Sequence, residues 1–257
     1  MTNILELFRL DNKVAIVTGA SKGLGYAVAL ALAQAGSDIV MTSRQETELS
    51  EAAQALADQT GRKIIPCVAD VQHWEDCEKV VAKAIESFGQ LDILVNNAGV
   101  NNRKPIHELT VHEFEELMDI NVTGMFRMSK AVASTFMKQK SGRVINLSSI
   151  LDTVSIPGRT GYSASKGAVL MFTKTLALEW ALYGVRVNAI SPGPFATPMN
   201  KALTEDKKQN ELFLSKLPVG RWGEPYEVGA AAVYLASAAS DFMTGTTLYI
   251  DGGWTAQ

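Results

Sequence analysis

Val14-Ala15-Ile16-Val17-Thr18-Gly19-Ala20-Ser21-Lys22-Gly23-Leu24-Gly25 carries a β-rich apolar run through a glycine turn and into the helical pattern Ala27–Ala35. Glycines let a backbone turn tightly and approach a pyrophosphate, and the helix that follows offers free N–H groups and the positive end of its dipole. Glycine at a strand-to-helix turn also serves purely local geometry, so the neighbouring sequence has to arbitrate. The same residues contain Gly19-Ala20-Ser21-Lys22-Gly23, which fits the G-x-S-x-G elbow of serine hydrolases. Such a hydrolase needs a histidine late in the chain, after its acid, and no histidine follows His112. The elbow fails on order and roles.

Outward from this turn, short apolar runs alternate with longer helical patterns. Val14–Val17, Asp38–Thr42, Ile64–Val68, Ile93–Val95, Arg143–Leu147, Val185–Ile190 and Thr247–Ile250 read as strands. Helices are predicted over about 23–35, 46–59, 74–87, 111–138, 162–182 and 225–238, where apolar residues recur at steps of three and four. This alternation predicts an α/β fold: a single-domain, Rossmann-type doubly wound parallel sheet of about seven strands with helices on both faces. No linker-like or low-complexity segment interrupts residues 1–257, so one dinucleotide-binding and catalytic domain is expected. Phe195–Leu217 follows a Pro/Gly cluster with a mixed polar and apolar pattern, and is the candidate lid over the carboxyl ends of the strands.

Composition narrows the function. Of 257 residues, 47% are hydrophobic and 20% charged, and 27 acidic against 24 basic residues give a net charge of −3. No basic run could neutralise a row of phosphates, so nucleic acid is not an expected partner. Cys67 and Cys77 sit in no zinc or CxxC spacing, and His73, His107 and His112 lack the i, i+4 pairing of a helical metal site. No metal is expected. Met1–Arg9 lacks a signal-peptide pattern and no apolar stretch is long enough to span a bilayer, which predicts a cytoplasmic protein without a membrane partner. Ile4, Leu5, Leu7 and Phe8 are expected to pack on their own domain rather than on a lipid surface.

An acid commonly stands about 20 residues past the glycines, where it holds a ribose 2′-hydroxyl. Here that place reads Thr42-Ser43-Arg44. Arg44 can fork onto a 2′-phosphate that a carboxylate would repel, Ser43 adds a hydroxyl, and Lys22 brings a second cation. NADP (NADPH) is therefore favoured over NAD, the alternative being that Arg44 is a solvated charge at a strand end. Further along, Tyr162 and Lys166 in Tyr162-Ser163-Ala164-Ser165-Lys166 share one helix face. An ammonium near a phenol is expected to lower its pKa from about 10 toward the range of an acid–base catalyst, although an isolated Tyr and Lys four apart are also an ordinary surface pair.

Together these segments resemble the short-chain dehydrogenase/reductase family along nearly the whole chain. The resemblance rests on Thr18–Gly25, Asp70-Val71, Asn96-Asn97-Ala98-Gly99, Asn121, Ser148-Ser149, Tyr162 with Lys166, and Pro192-Gly193 with Thr197. It implies a catalytic set of Asn121, Ser149, Tyr162 and Lys166. Beside the residues already read as holding the cofactor's phosphates, Gly19, Ser21, Lys22, Gly23, Leu24, Gly25, Ser43 and Arg44, it places Asp70 and Val71 against adenine. Asn97, Ala98 and Gly99 fall on the adenosine side, and Pro192, Gly193 and Thr197 beside the nicotinamide. By the same resemblance Lys166 bonds the nicotinamide ribose, Asn121 holds a water linking Lys166 to solvent, Asn96 is structural, Ser148 turns away, and the assembly is a homotetramer.

Leu217–Pro225, Asp251-Gly252-Gly253-Trp254 and Asn101-Asn102-Arg103-Lys104 resemble the gluconate 5-dehydrogenase and 2-deoxygluconate dehydrogenase branch. That branch implies a small-molecule sugar-acid substrate, interconversion of gluconate and 5-keto-gluconate, and a substrate site formed by Ser149, Tyr162, Arg103 and Arg159. The two arginines can also be read as solvated loop charges. The alternative within the same chemistry is a 3-oxoacyl-acyl-carrier-protein reductase.

Overall fold

Where both faces of a sheet are covered, strands become nearly continuous apolar runs, and the computed structural model, which describes residues 3–257, shows this pattern. The strands are β1 (Val14–Thr18), β2 (Asp38–Ser43), β3 (Ile64–Val68), β4 (Ile93–Asn96), β5 (Gly142–Leu147), β6 (Val185–Pro192) and β7 (Thr247–Ile250). Every residue of β1 and β4 is buried. All pairings are parallel, in the order β3-β2-β1-β4-β5-β6-β7. The order reverses between β1 and β4, which opens a crevice at their carboxyl ends.

The helices are α1 (Gly23–Gln34), α2 (Glu46–Thr60), α3 (Trp74–Phe88), α4 (Val111–Met118), α5 (Gly124–Gln139), α6 (Thr160–Trp180), α7 (Lys201–Glu205), α8 (Lys207–Leu214) and α9 (Pro225–Ala236). On one face Val28, Leu32, Leu49, Leu56 and Val228 bring α1, α2 and α9 onto the sheet. On the other, Val80, Val81, Met128, Val132, Phe136 and Trp180 do the same for α3, α5 and α6. α9 approaches α1 so closely that a Cβ on Gly229 would lie 2.8 Å from the Ala31 Cβ. At the amino end Phe8 packs on Tyr234, while Ile4 and Leu5 remain exposed. Among the described residues no helix is long and apolar enough to cross a membrane.

Two segments differ from expectation. The single helix predicted over 111–138 is interrupted by a π turn at Asp119–Thr123 between α4 and α5, with the Gly124 N–H reaching back to the Asp119 carbonyl. The stretch 195–217 contains a 3-10 turn, α7 and α8, and neither α7 nor α8 buries a residue. Asp206 starts α8 by accepting from the Gln209 N–H at 3.0 Å.

Candidate active site

A cleft of about 660 Å³ lies at the carboxyl ends of the strands, between the glycine turn and the 195–217 segment. Its floor is built from backbone. Gly23 has φ +60°, and a Cβ there would meet nothing nearer than Pro198 at 4.0 Å, so the turn at the start of α1 is open toward the cleft. Gly25 faces inward instead, where a Cβ would come 2.2 Å from the Gly19 carbonyl oxygen. Leu24 joins them in the lining. A glycine turn open to the cleft at a helix N-terminus fits the pyrophosphate of a dinucleotide.

Thr18 and Asn97 bolt this turn to the end of β4. The Thr18 hydroxyl accepts from the N–H groups of Asn97 and Ala98, both at 3.0 Å, and the Asn97 amide donates to the Thr18 and Gly19 carbonyls at 2.8 and 2.9 Å. The Asn97 side chain is thus committed to the scaffold, while Asn97, Ala98 and Gly99 all line the cleft. Asn96, buried, bonds Ser129 and Asn146.

At the end expected to take adenosine, Ser43, Arg44, Asp70 and Val71 line the cleft together with Ser21 and Lys22. The Arg44 guanidinium stands 3.9 Å from Asp70 and is mostly exposed. Lys22 is not a free cation: its ammonium bonds Glu48 at 2.9 and 3.2 Å, and the Ser21 hydroxyl donates to the same carboxylate at 2.9 Å. These two donors hold the Glu48 carboxyl below its ordinary pKa. Sequence reasoning missed Glu48; the available signal was its place in the first turn of α2, just after the cleft-lining end of β2.

At the other end, Tyr162 and Lys166 project from α6 and the Lys166 nitrogen lies 5.5 Å from the Tyr162 ring centre. Lys166 is buried and donates to the Leu147 carbonyl at 2.7 Å. The expected lowering of the phenol pKa by this lysine is not what the geometry produces. Burial pushes Tyr162 up to about 12, opposed by the Ser149 hydroxyl and by the Arg159 and Arg103 guanidiniums and reinforced by Asp152. Burial also brings Lys166 down to about 8. An ammonium spent on a carbonyl and weakened by desolvation cannot offset the loss of water around the phenol.

Ser149 caps a 3-10 turn at Ile150–Asp152, accepting from the Leu151 N–H at 3.2 Å. Its neighbour Ser148 donates to the Lys166 carbonyl at 3.2 Å. Asn121 sits in the π turn, where its oxygen accepts from the Val100 N–H at 2.8 Å and its amide donates to the Val100 carbonyl at 2.9 Å and to Ser165 Oγ at 3.0 Å. Pro192, Gly193 and Thr197 line the same end. A Cβ on Gly193 would come 2.7 Å from the Asp251 Cα, so this glycine lets the C-terminal strand end close against the cleft.

Arg103 and Arg159 also reach this end, close enough that each acts on the Tyr162 pKa. Neither pairs with a carboxylate among the described residues. Arg103 instead donates to the Met199 carbonyl at 3.1 Å and to Asn200 Oδ1 at 2.9 Å, which ties it to the 195–217 segment. The cleft also carries an aromatic wall not foreseen from the sequence, packed in one cluster with Tyr162: Phe213 stacks on Trp222 at 5.4 Å and meets Trp254 at 5.7 Å.

The whole chain has relatives of this shape. A family model described as enoyl-(acyl carrier protein) reductase matches residues 19–255. The 2-dehydro-3-deoxy-D-gluconate 5-dehydrogenase of Dickeya dadantii is 40% identical over 99% of this chain and 100% of its own length. A 3-oxoacyl-acyl-carrier-protein reductase of Vibrio cholerae is 39% identical over 95% of this chain and 98% of its own. The structure of a gluconate 5-dehydrogenase from Burkholderia cenocepacia, in complex with NADP and tartrate, superposes with a TM-score of 0.95 at 37% identity, covering 99% of this chain and 100% of that one. With the glycine turn, the Tyr162–Lys166 pair and the seven-stranded order on one scaffold, the chain belongs to the short-chain dehydrogenase/reductase family of oxidoreductases acting on CH–OH groups.

Proposed function

We propose that this enzyme interconverts a secondary alcohol and a ketone on a sugar acid, gluconate and 5-keto-gluconate or a close relative, with NADP(H) preferred over NAD(H). The observation that carries this is the convergence of a phenol, a serine hydroxyl and two guanidiniums without carboxylate partners at one end of a dinucleotide-sized cleft. Such guanidiniums suit a substrate carboxylate, and tartrate in the Burkholderia structure is itself a small hydroxy acid.

In this reading a dinucleotide lies along Gly19–Gly25, with Ser43 and Arg44 at its 2′-phosphate, Asp70 and Val71 at adenine, and Pro192, Gly193 and Thr197 at nicotinamide. When bound, the nicotinamide supplies the hydride acceptor or donor. Tyr162 exchanges the proton. With its pKa near 12 in the cofactor-free protein, the phenol is protonated at neutral pH and ready to donate to a ketone oxygen. Ser149 Oγ accepts from the Leu151 N–H, which leaves its own proton to stabilise the same substrate oxygen. Lys166 spends one donor on Leu147 and keeps others for a ribose. Asn121 acts by positioning, because its amide is occupied by Val100 and Ser165. The 195–217 segment closes the cleft as a lid, with Arg103 joining substrate site and lid.

The exposed apolar side chains of Met171, Leu178, Leu182 and Phe242 support a homotetramer. A cytoplasmic location follows from the need for a nicotinamide pool. The second reading, 3-oxoacyl-acyl-carrier-protein reduction, draws on the apolar wall of Phe213, Trp222 and Trp254. A spectrophotometric screen of sugar acids, neutral polyols and β-keto esters with both cofactors separates the two. Turnover of gluconate or a keto-gluconate is expected; reduction of acyl β-keto esters without any sugar-acid activity would hand the site to the second reading.

A further inference from the structure

We propose that Glu48 competes for the donors that a cofactor 2′-phosphate requires, and so sets how far this enzyme prefers NADP(H) over NAD(H). The inference rests on the adenosine-end reading given above. Ser21, Lys22, Ser43 and Arg44 are the hydroxyl and cationic donors that the reading brings to a 2′-phosphate at that end. Glu48 closes two of them, taking the Ser21 proton at 2.9 Å and the Lys22 ammonium at 2.9 and 3.2 Å. Arg44 is left as the cation without a hydrogen-bonded acid there, since its nearest carboxylate, Asp70, is 3.9 Å away.

A 2′-phosphate entering this end meets one of two situations. Either Lys22 stays on Glu48, and the phosphate faces a neutralised ammonium beside a like charge, or Lys22 turns to the phosphate and leaves Glu48 with Ser21 alone. Both cost free energy. A free 2′-hydroxyl disturbs neither bond and can itself donate to the carboxylate. Lys22 and Ser21 keep Glu48 below the usual carboxylate range, so it stays ionised throughout the working pH range. The Lys22–Glu48 pair is 63% and 40% exposed, which makes it weak enough to be displaced and limits the expected effect to about fivefold.

The test is calorimetric titration with 2′,5′-ADP and with 5′-AMP, which differ by the 2′-phosphate, on wild type, Glu48→Gln, Glu48→Ala and Arg44→Ala. Both Glu48 variants should raise the ratio of 2′,5′-ADP to 5′-AMP affinity about fivefold, chiefly by tightening 2′,5′-ADP, and should lower KM for NADP(H). An unmoved ratio at Glu48 together with a fall for Arg44→Ala would overturn this inference and leave the 2′-phosphate reading standing. Equal weakening of both nucleotides in the Glu48 variants would make the residue a scaffold contact and also overturn it. If no variant moved the ratio, both the inference and the adenosine-end reading would fall.

Discussion

The floor of the cleft joins Thr18–Gly25 to Asn96–Gly99 through the Thr18 hydroxyl and the Asn97 amide, on strands with no exposed residue. The roof, 195–217, has Phe195 and Leu217 buried at its two ends, but the 3-10 turn, α7 and α8 between them bury no residue and are held by Arg103 and by Phe213 against two tryptophans. Backbone geometry makes the floor, and a few side-chain contacts make the roof. Segments with so little buried surface occupy the low end of the local-stability range. On the proposed reading, the reaction type belongs to the rigid part and substrate choice to the part with little buried surface.

The largest expected effect tests whether the chemistry lies outside the roof, on Tyr162 of α6. Tyr162→Phe keeps the ring and removes the exchangeable proton, so turnover should fall about a hundred- to ten-thousand-fold while NADP(H) still binds. Retention of more than about a tenth of wild-type turnover would break the assignment.

Next is an ionisation. Difference absorbance titration of cofactor-free wild type against Tyr162→Phe should show the Tyr162 phenol ionising near pH 12, about two units above a free tyrosine. Because the folded pKa is raised, the stability linked to this phenol is full below about pH 10 and is lost as pH climbs through about 12. Ionisation at or below pH 10 would mean that Lys166, not burial, governs the group.

A third effect also stays outside the roof, at the end of β2. Arg44→Asp exchanges a phosphate fork for a carboxylate able to hold a 2′-hydroxyl, and the ratio of NADP to NAD efficiency should drop about ten- to a hundredfold, the scale of a charged hydrogen bond. A steady ratio in kcat/KM measurements would move the 2′-phosphate elsewhere in the cleft.

The smallest effect probes the seam between floor and roof. Arg103→Ala should raise KM for gluconate about tenfold and change a neutral polyol or β-keto ester by less than about twofold, if the guanidinium holds a carboxylate. Equal losses for charged and neutral substrates would show that its bonds to Met199 and Asn200, and so the lid, are its whole contribution.

How much of this was legible follows the same division. The strands could be read because a sheet covered on both faces demands apolar runs such as Val14–Val17, and the turn because Gly23 must adopt φ +60°. The π turn was invisible: buried Leu117, Asn121, Met125, Met128, Val132 and Phe136 recur at steps of three and four straight through it. The Glu48 pairing needs a side chain to cross from α2 to the glycine turn, which no local pattern encodes. Spacing brought Tyr162 and Lys166 together, but the sign of the phenol shift depended on depth of burial, and spacing carries no depth. The aromatic wall joins Phe213, Trp222 and Trp254 from separate segments, and only the folded chain unites them.

The π turn at Asp119–Thr123 has a consequence in insertions and deletions rather than substitutions. An i→i+5 ring closes around one residue more than an ordinary helical turn, so the extra residue is absorbed locally and α5 keeps its apolar face on the core. Loss of one residue from a helix normally turns everything beyond it by about 100°. Here a one-residue deletion would close a regular turn and leave α5 on its core, yet it would withdraw Asn121 from Val100 and Ser165. A chain shortened at this turn is expected to keep its fold and to lose the Asn121 contacts of the proposed site.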